Sequence, residues 1–127
     1  MKIPDALRYT ATHEWVREES DGTLAIGISD HAQDSLGELV FVELPERGRR
    51  LAAGETCAVV ESVKAASDVY APVAGEVVAR NDALVDIPGE VNKDCYAAWL
   101  FRLKPAAGAG LEKLMDAAAY RKSLSVD

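Results

Sequence analysis

Few side chains in this 127-residue chain have the type and setting for chemistry, and one lysine stands out among them. Lys64 lies in the run Glu61-Ser62-Val63-Lys64-Ala65-Ala66-Ser67-Asp68, with valine-rich, strand-like segments on both sides. A lysine is modified through its neutral amine, so it must be reachable and not locked in an ion pair. Ala65 and Ala66 leave its neighbourhood uncluttered, and Val63 is expected to anchor the end of the preceding strand. The pattern reads as an amine held out on a hairpin tip, and acylation there would remove its charge. A solvated turn lysine is the plain alternative for the position taken by itself.

The other reactive residues offer less. The two histidines, His13 and His31, have no partner at metal-ligand spacing. His13 and Glu14 are adjacent, and neighbours in a strand point to opposite faces, so they make a poor acid–base pair. The chain has no Gly-x-Ser-x-Gly elbow and no phosphate-cradling glycine loop. Cys57 and Cys95 are far apart, lack a CxxC spacing and have no histidine cluster nearby, which argues against zinc. Cys57 sits in the apolar run Cys57-Ala58-Val59-Val60 and reads as a small buried thiol. The expectation is a protein that is not an enzyme.

Composition narrows the class. A chain of this length with 49% hydrophobic residues suits one domain, residues 1–127, around one core. A net charge of −7 opposes nucleic acid, whose binders supply a basic patch, and an anionic membrane surface. No run approaches the apolar length of a membrane span. Met1-Lys2-Ile3-Pro4-Asp5 has no apolar stretch, so a cytoplasmic, monomeric protein is expected.

Short strand-like runs must position the lysine. Glu14–Arg17 and Thr23–Ile28 flank the turn signal Ser20-Asp21-Gly22 and read as a hairpin. Ser29 or Asp30 can cap a short helix over 30–36, with Gly37 as its stop. Glu38–Leu44 is rich in β-branched and aromatic residues. Ala53-Gly54-Glu55 and Ala74-Gly75-Glu76 each open a strand-like run, and the lysine lies between these two similar units. Pro72 closes the return strand. Residues 83–89 read as irregular, with one helical turn. Trp99–Lys104 reads as a strand ended by Pro105. In the tail, Leu111, Leu114, Met115 and Ala118 follow helical spacing and predict a packing helix near 111–124.

The lysine segment, continued through Val69-Tyr70-Ala71-Pro72-Val73-Ala74-Gly75-Glu76-Val77, resembles the lipoyl-attachment segment of glycine cleavage system H proteins. Further blocks follow in the family's order: Tyr9–Val16, Ile26–Gln33, Leu36–Pro45, Asn81–Leu84 and the Trp99 strand. The resemblance spans about residues 7–104. It implies a mainly β fold, a barrel-sandwich hybrid of the lipoyl/biotinyl type with two antiparallel sheets and a C-terminal helix. It also implies a carrier with lipoate joined to Lys64 by an amide. Such a carrier takes an aminomethyl group from the PLP-dependent glycine decarboxylase, the P protein. It delivers the group to the tetrahydrofolate-dependent aminomethyltransferase, the T protein, and is reoxidised by dihydrolipoamide dehydrogenase, the L protein.

The resemblance gives roles to other residues. Glu14 and Asp68 are candidates to hold a cationic cargo, and Glu61 is a candidate contact for the lipoylating enzymes. The run Asn92-Lys93-Asp94-Cys95-Tyr96-Ala97-Ala98-Trp99 departs from the family, with Cys95 in place of a proline and no glycine. A biotin carrier sets its lysine between methionines, unlike Val63 and Ala65. A lipoyl domain of a 2-oxo-acid dehydrogenase has aspartate before the lysine. An H-like paralogue serving lipoate relay or another lipoyl-dependent pathway shares every motif and stays open.

Overall fold

The computed structural model describes residues 1–124. Two antiparallel sheets face each other. The larger has the order β1-β2-β3-β9-β8-β5, from Arg8–Tyr9 (β1), Glu14–Glu18 (β2), Leu24–Ile28 (β3), Phe101–Pro105 (β9), Gly75–Arg80 (β8) and Arg50–Leu51 (β5). The smaller has the order β4-β6-β7, from Leu39–Glu43, Thr56–Ser62 and Ala66–Tyr70. The expected mainly β architecture is therefore present, and it gains two-residue strands, β1 and β5, too short to show a period.

Strand β3 explains how the layers hold together. All five of its residues are buried. Leu24, Ile26 and Ile28 enter the main core with Val42, Val60, Val77 and Phe101, while Ala25 faces a second cluster with Tyr9, Trp15 and Tyr120. Large residues thus alternate with small ones along one strand, as a strand covered on both faces requires. Trp15 is paired in register with Gly27, and its indole occupies the space a side chain would need there. A Cβ on Gly27 would lie 2.6 Å from three indole atoms. The indole N–H donates to the Cys95 carbonyl at 3.0 Å, so the ring is fixed at both ends.

The two Ala-Gly-Glu units open strands in different sheets. Gly54 needs its positive φ of 82°, whereas Gly75 is needed for close approach. A Cβ there would meet the Lys104 carbonyl oxygen at 2.5 Å.

The short helix forms as expected. Helix α1 runs Asp30–Leu36; Ser29 Oγ accepts from the Ala32 N–H, and Gly37 ends it with φ 84°. Residues 83–93 are more helical than the sequence suggests, forming α2 (Ala83–Asp86) and α3 (Glu90–Lys93). Strand β9 starts at Phe101, although the Leu100 N–H already bonds the Ile26 carbonyl at 2.7 Å.

The tail differs from one helix over 111–124. Leu111–Lys113 is a single 3₁₀ turn. Met115 then pairs with Tyr9 through two backbone hydrogen bonds of 2.8 and 2.9 Å. Helix α4 runs only Ala117–Leu124, with Asp116 Oδ1 accepting from the Ala119 N–H at its start. The β bridge and the aspartate cap outcompete a helical stripe. Ala117 and Tyr120 are the buried contacts, and Ala118 is exposed.

Candidate functional site

Strands β6 and β7 form the lysine hairpin, with Val63, Lys64 and Ala65 at its tip. Ser62 closes the turn. Its N–H donates to the Ala65 carbonyl at 2.8 Å, and its Oγ accepts from the Lys64 and Ala65 N–H groups at 3.3 and 3.2 Å. This local bonding competes with continuation of the ladder and fixes a compact tip. Lys64 is exposed, and among the described residues nothing bonds or pairs with its amine. Val63 is 91% exposed, so it is not the expected anchor; the buried residues of β6 nearest the tip are Val60 and Ser62. The aliphatic stem of Lys64 runs toward the corner after α1, where a Cβ on Gly37 would lie 3.7 Å from Lys64 Cε.

Glu14 is far from an ordinary solvated acid. It is 1% exposed, and on β2 it stands on the same face as Val16, which belongs to the main core. One carboxylate oxygen accepts from the Thr10 and Thr12 hydroxyls. The other accepts from the Tyr70 N–H at 3.1 Å, so the group ties β2 to the last residue of β7 in the opposite sheet. Burial pushes its pKa above the usual carboxylate range, and the hydrogen bonds oppose that rise without cancelling it.

Glu14 forms part of the wall of a cleft of ≈ 510 Å³, lined also by Thr10, Thr12, Tyr70, Pro72, Leu114 and Met115. Strand β7 runs from the lysine tip to this cleft. A larger groove of ≈ 830 Å³ lies along Phe41–Arg47 and shares none of these residues. Leucine, methionine and proline flank the nearly inaccessible Glu14 carboxylate, and Lys113 adds a cation to the same lining; a charge pair is stronger there than in bulk water.

The other expected site residues are not gathered at this carboxylate. Asp68 is exposed on β7, opposite Val59, and outside the cleft lining. Glu61 is half-buried on β6, paired with Phe41 and Ala66 near the tip. Thr10, Thr12 and Tyr70 were not singled out from sequence. The Thr10-x-Thr12-x-Glu14 alternation of polar residues was the one available signal.

The histidines come together but do not make a metal centre. Their rings lie 4.6 Å apart, and no group of three or more potential ligands occurs among the described residues. His13 Nδ1 shares a 2.8 Å hydrogen bond with the Tyr120 hydroxyl, which also bonds Ser29 Oγ at 2.7 Å. Burial, and then His31, lowers the His13 pKa, so this pair favours a neutral ring that docks α4. Both cysteines are free and buried. In the departing segment the Cys95 carbonyl accepts from the Trp15 indole, and the Tyr96 hydroxyl donates to the Lys2 carbonyl at 2.6 Å.

Two facing antiparallel sheets with an exposed lysine on a hairpin define a carrier of the lipoyl type. The family model for "Glycine cleavage H-protein" matches residues 7–127. The chain is 61% identical to the glycine cleavage system H protein of Azoarcus sp. (strain BH72), over 97% of each chain. It is 56% identical to glycine cleavage system H protein 2 of Pseudomonas aeruginosa, over 98% of this chain and 97% of that one. A crystal structure of the H protein from Mycobacterium marinum superposes with a TM-score of 0.89 at 41% identity, covering 98% of this chain and all of the other. The chain belongs to the glycine cleavage H-protein family, whose members are lipoyl carriers and not catalysts.

Proposed function

We propose that lipoate is attached to Lys64 by an amide, and that residues 1–127 act as one cytoplasmic carrier unit of the glycine cleavage system. Lys64 would hold the group, whose disulfide would supply the acceptor for the aminomethyl unit that glycine decarboxylase leaves on releasing CO2; the tetrahydrofolate-dependent aminomethyltransferase would take that carbon and leave the dithiol, which dihydrolipoamide dehydrogenase would reoxidise to the disulfide. The observation that carries this reading is the Lys64 amine itself. It is exposed, and unpaired among the described residues, at a tip that Ser62 holds in one shape. A tethered group searches only a small volume, so its effective concentration at each partner is high.

The residues present fit the group. The apolar side of the cleft would cover its hydrocarbon part, and the Glu14 carboxylate would hold a cationic cargo. Thr10, Thr12 and the Tyr70 amide keep that carboxylate aimed and limit its protonation. Asp68, exposed on the strand between tip and cleft, would add a second negative charge along the way. Glu61, in the ladder pair nearest the turn, would serve as a contact for the lipoylating enzymes. No helix among the described residues is long and apolar enough to cross a membrane.

Intact mass of the protein after treatment with a lipoate–protein ligase, lipoate and ATP tests the attachment. The expected result is one lipoyl addition, lost in Lys64→Arg. No addition, or one that survives Lys64→Arg, would overturn the assignment. Glycine-dependent CO2 exchange with the decarboxylase then tests the pathway, and its absence in the lipoylated protein would favour the lipoate-relay paralogue. If Glu14→Gln and Asp68→Asn both left the lifetime of the loaded carrier unchanged, sheltering by these acids would be wrong.

A further inference from the structure

Asn92, on α3, makes three side-chain hydrogen bonds to one corner of the molecule. Its Oδ1 accepts from the Leu39 N–H at 2.8 Å. Its Nδ2 donates to the Gly37 carbonyl at 2.9 Å and to Gln33 Oε1 at 3.0 Å. Asparagine alone among small side chains offers an acceptor and two donors in one planar group, which matches this set. Gln33 in turn donates to Asp30 at 2.7 Å, and Asp30 accepts from the Lys2 N–H at 2.8 Å.

The corner so pinned is the one beside the hairpin. Gly37 faces the Lys64 stem at Cε. Leu39 is paired in register with Ser62, whose Oγ and N–H hold the tip closed. The ladder slips between Leu39 and Phe41, so the start of β4 has an irregular register and weak support from its own strand. A side chain from outside the sheet supplies that support, at Gly37 beside the lysine stem and at Leu39 opposite Ser62.

We propose that Asn92 is a positioning residue for the Lys64 amine: by holding Gly37 and Leu39 it sets the height and direction at which the hairpin presents the lysine to the enzyme that acylates it. This rests on Lys64 being the attachment point. A ligase must align the amine with an activated acyl group, and misplacement of about 1 Å can cost a large factor in rate. The residue acts through the corner and touches no substrate.

The test uses the unmodified full chain, a lipoate–protein ligase, lipoate and ATP. Asn92→Ala removes all three bonds. Asn92→Asp keeps the Leu39 bond but sets an oxygen against the Gly37 and Gln33 oxygens. The control is Val91→Ala, a cavity at a fully buried neighbour on the same helix that makes no bond to the corner. Lipoylation kinetics and hydrogen exchange at the Lys64 and Ala65 amides are measured at a temperature where every variant is folded. Both Asn92 variants are expected to lose about tenfold in kcat/KM and to exchange those two amides faster. Val91→Ala should lower the melting temperature and change neither. Native kinetics and native exchange in the Asn92 variants, or equal slowing by Val91→Ala, would overturn the inference. Peptide mapping of the wild-type product separates the two readings. Lipoate on another lysine overturns the Lys64 assignment and this inference together, whereas lipoate on Lys64 with unaffected Asn92 variants overturns this inference alone.

Discussion

Replacing Glu14 should separate what its charge does from what its hydrogen bonds do. In Glu14→Gln the side chain can keep an oxygen toward the Tyr70 N–H, now 3.1 Å from a carboxylate oxygen. Its new amide would face the Thr10 and Thr12 hydroxyls, which rotate to accept. The fold therefore keeps its contacts, and the cost should stay under about 1 kcal/mol. In Glu14→Ala the Tyr70 N–H loses its acceptor, a penalty of about 1–3 kcal/mol. At about 4 °C of melting temperature per kcal/mol for a chain of this size, the Ala variant should melt roughly 4–12 °C lower.

The pH dependence gives the sharper test. Burial raises the Glu14 pKa above its unfolded value. Its contribution to stability is then full below the unfolded pKa and is lost as pH rises through the folded one. Wild type and Glu14→Gln should be close in stability below about pH 4.3, the unfolded carboxyl range. Above it the wild type should fall relative to the variant. Urea unfolding of both proteins at several pH values isolates this one group, because all others titrate alike in the pair. If the wild type instead gained on Glu14→Gln as pH rose, the hydrogen bonds would outweigh burial and the cleft would hold a carboxylate easier to ionise than in water.

Three other outcomes are expected. Gly27→Ala should cost about 2–4 kcal/mol, because a Cβ at 2.6 Å displaces the Trp15 indole and its bond to Cys95; calorimetry and tryptophan fluorescence would show it, and an unchanged melting temperature would contradict it. Ser62→Ala should lower stability by about 1 kcal/mol or less yet speed trypsin cleavage after Lys64, since the tip loses the acceptor for two amides; equal cleavage rates would contradict it. Burial pushes both the Cys57 and Cys95 thiols up to about 12, so iodoacetamide at pH 8 should label the native protein only as fast as it opens, and rapid native labelling of either would refute the burial.

How much of this could be read in advance depended on how local each feature was. The hairpin tip, the Ser29 cap and the Gly37 stop are written in a few consecutive residues, and the structure forms all of them. Val63 was misread because alternation along β6 suggests a role that the turn after Ser62 cancels. The tail stripe was misread because one backbone bridge to Tyr9, over a hundred residues away, removes Met115 from any helix. Glu14 was legible as a candidate contact but not as a buried group, for the same reason. Its burial depends on an amide at Tyr70 in the opposite sheet. Asn92 lay in a stretch compared mainly for its missing proline and glycines, and only the fold shows its side chain reaching across to the Gly37 corner.

Strand β7 is the last strand of its sheet, and its outer rim has no β partner among the described residues. Such a rim is a template on which a second chain can add a strand. Here one of its amides, at Tyr70, is capped by a carboxylate, and the exposed Asp68 stands two residues away. Two copies meeting rim to rim would bring like charges together where their backbones must pair. On the strand that leads away from the lysine, these two acids therefore oppose edge pairing between copies at this rim.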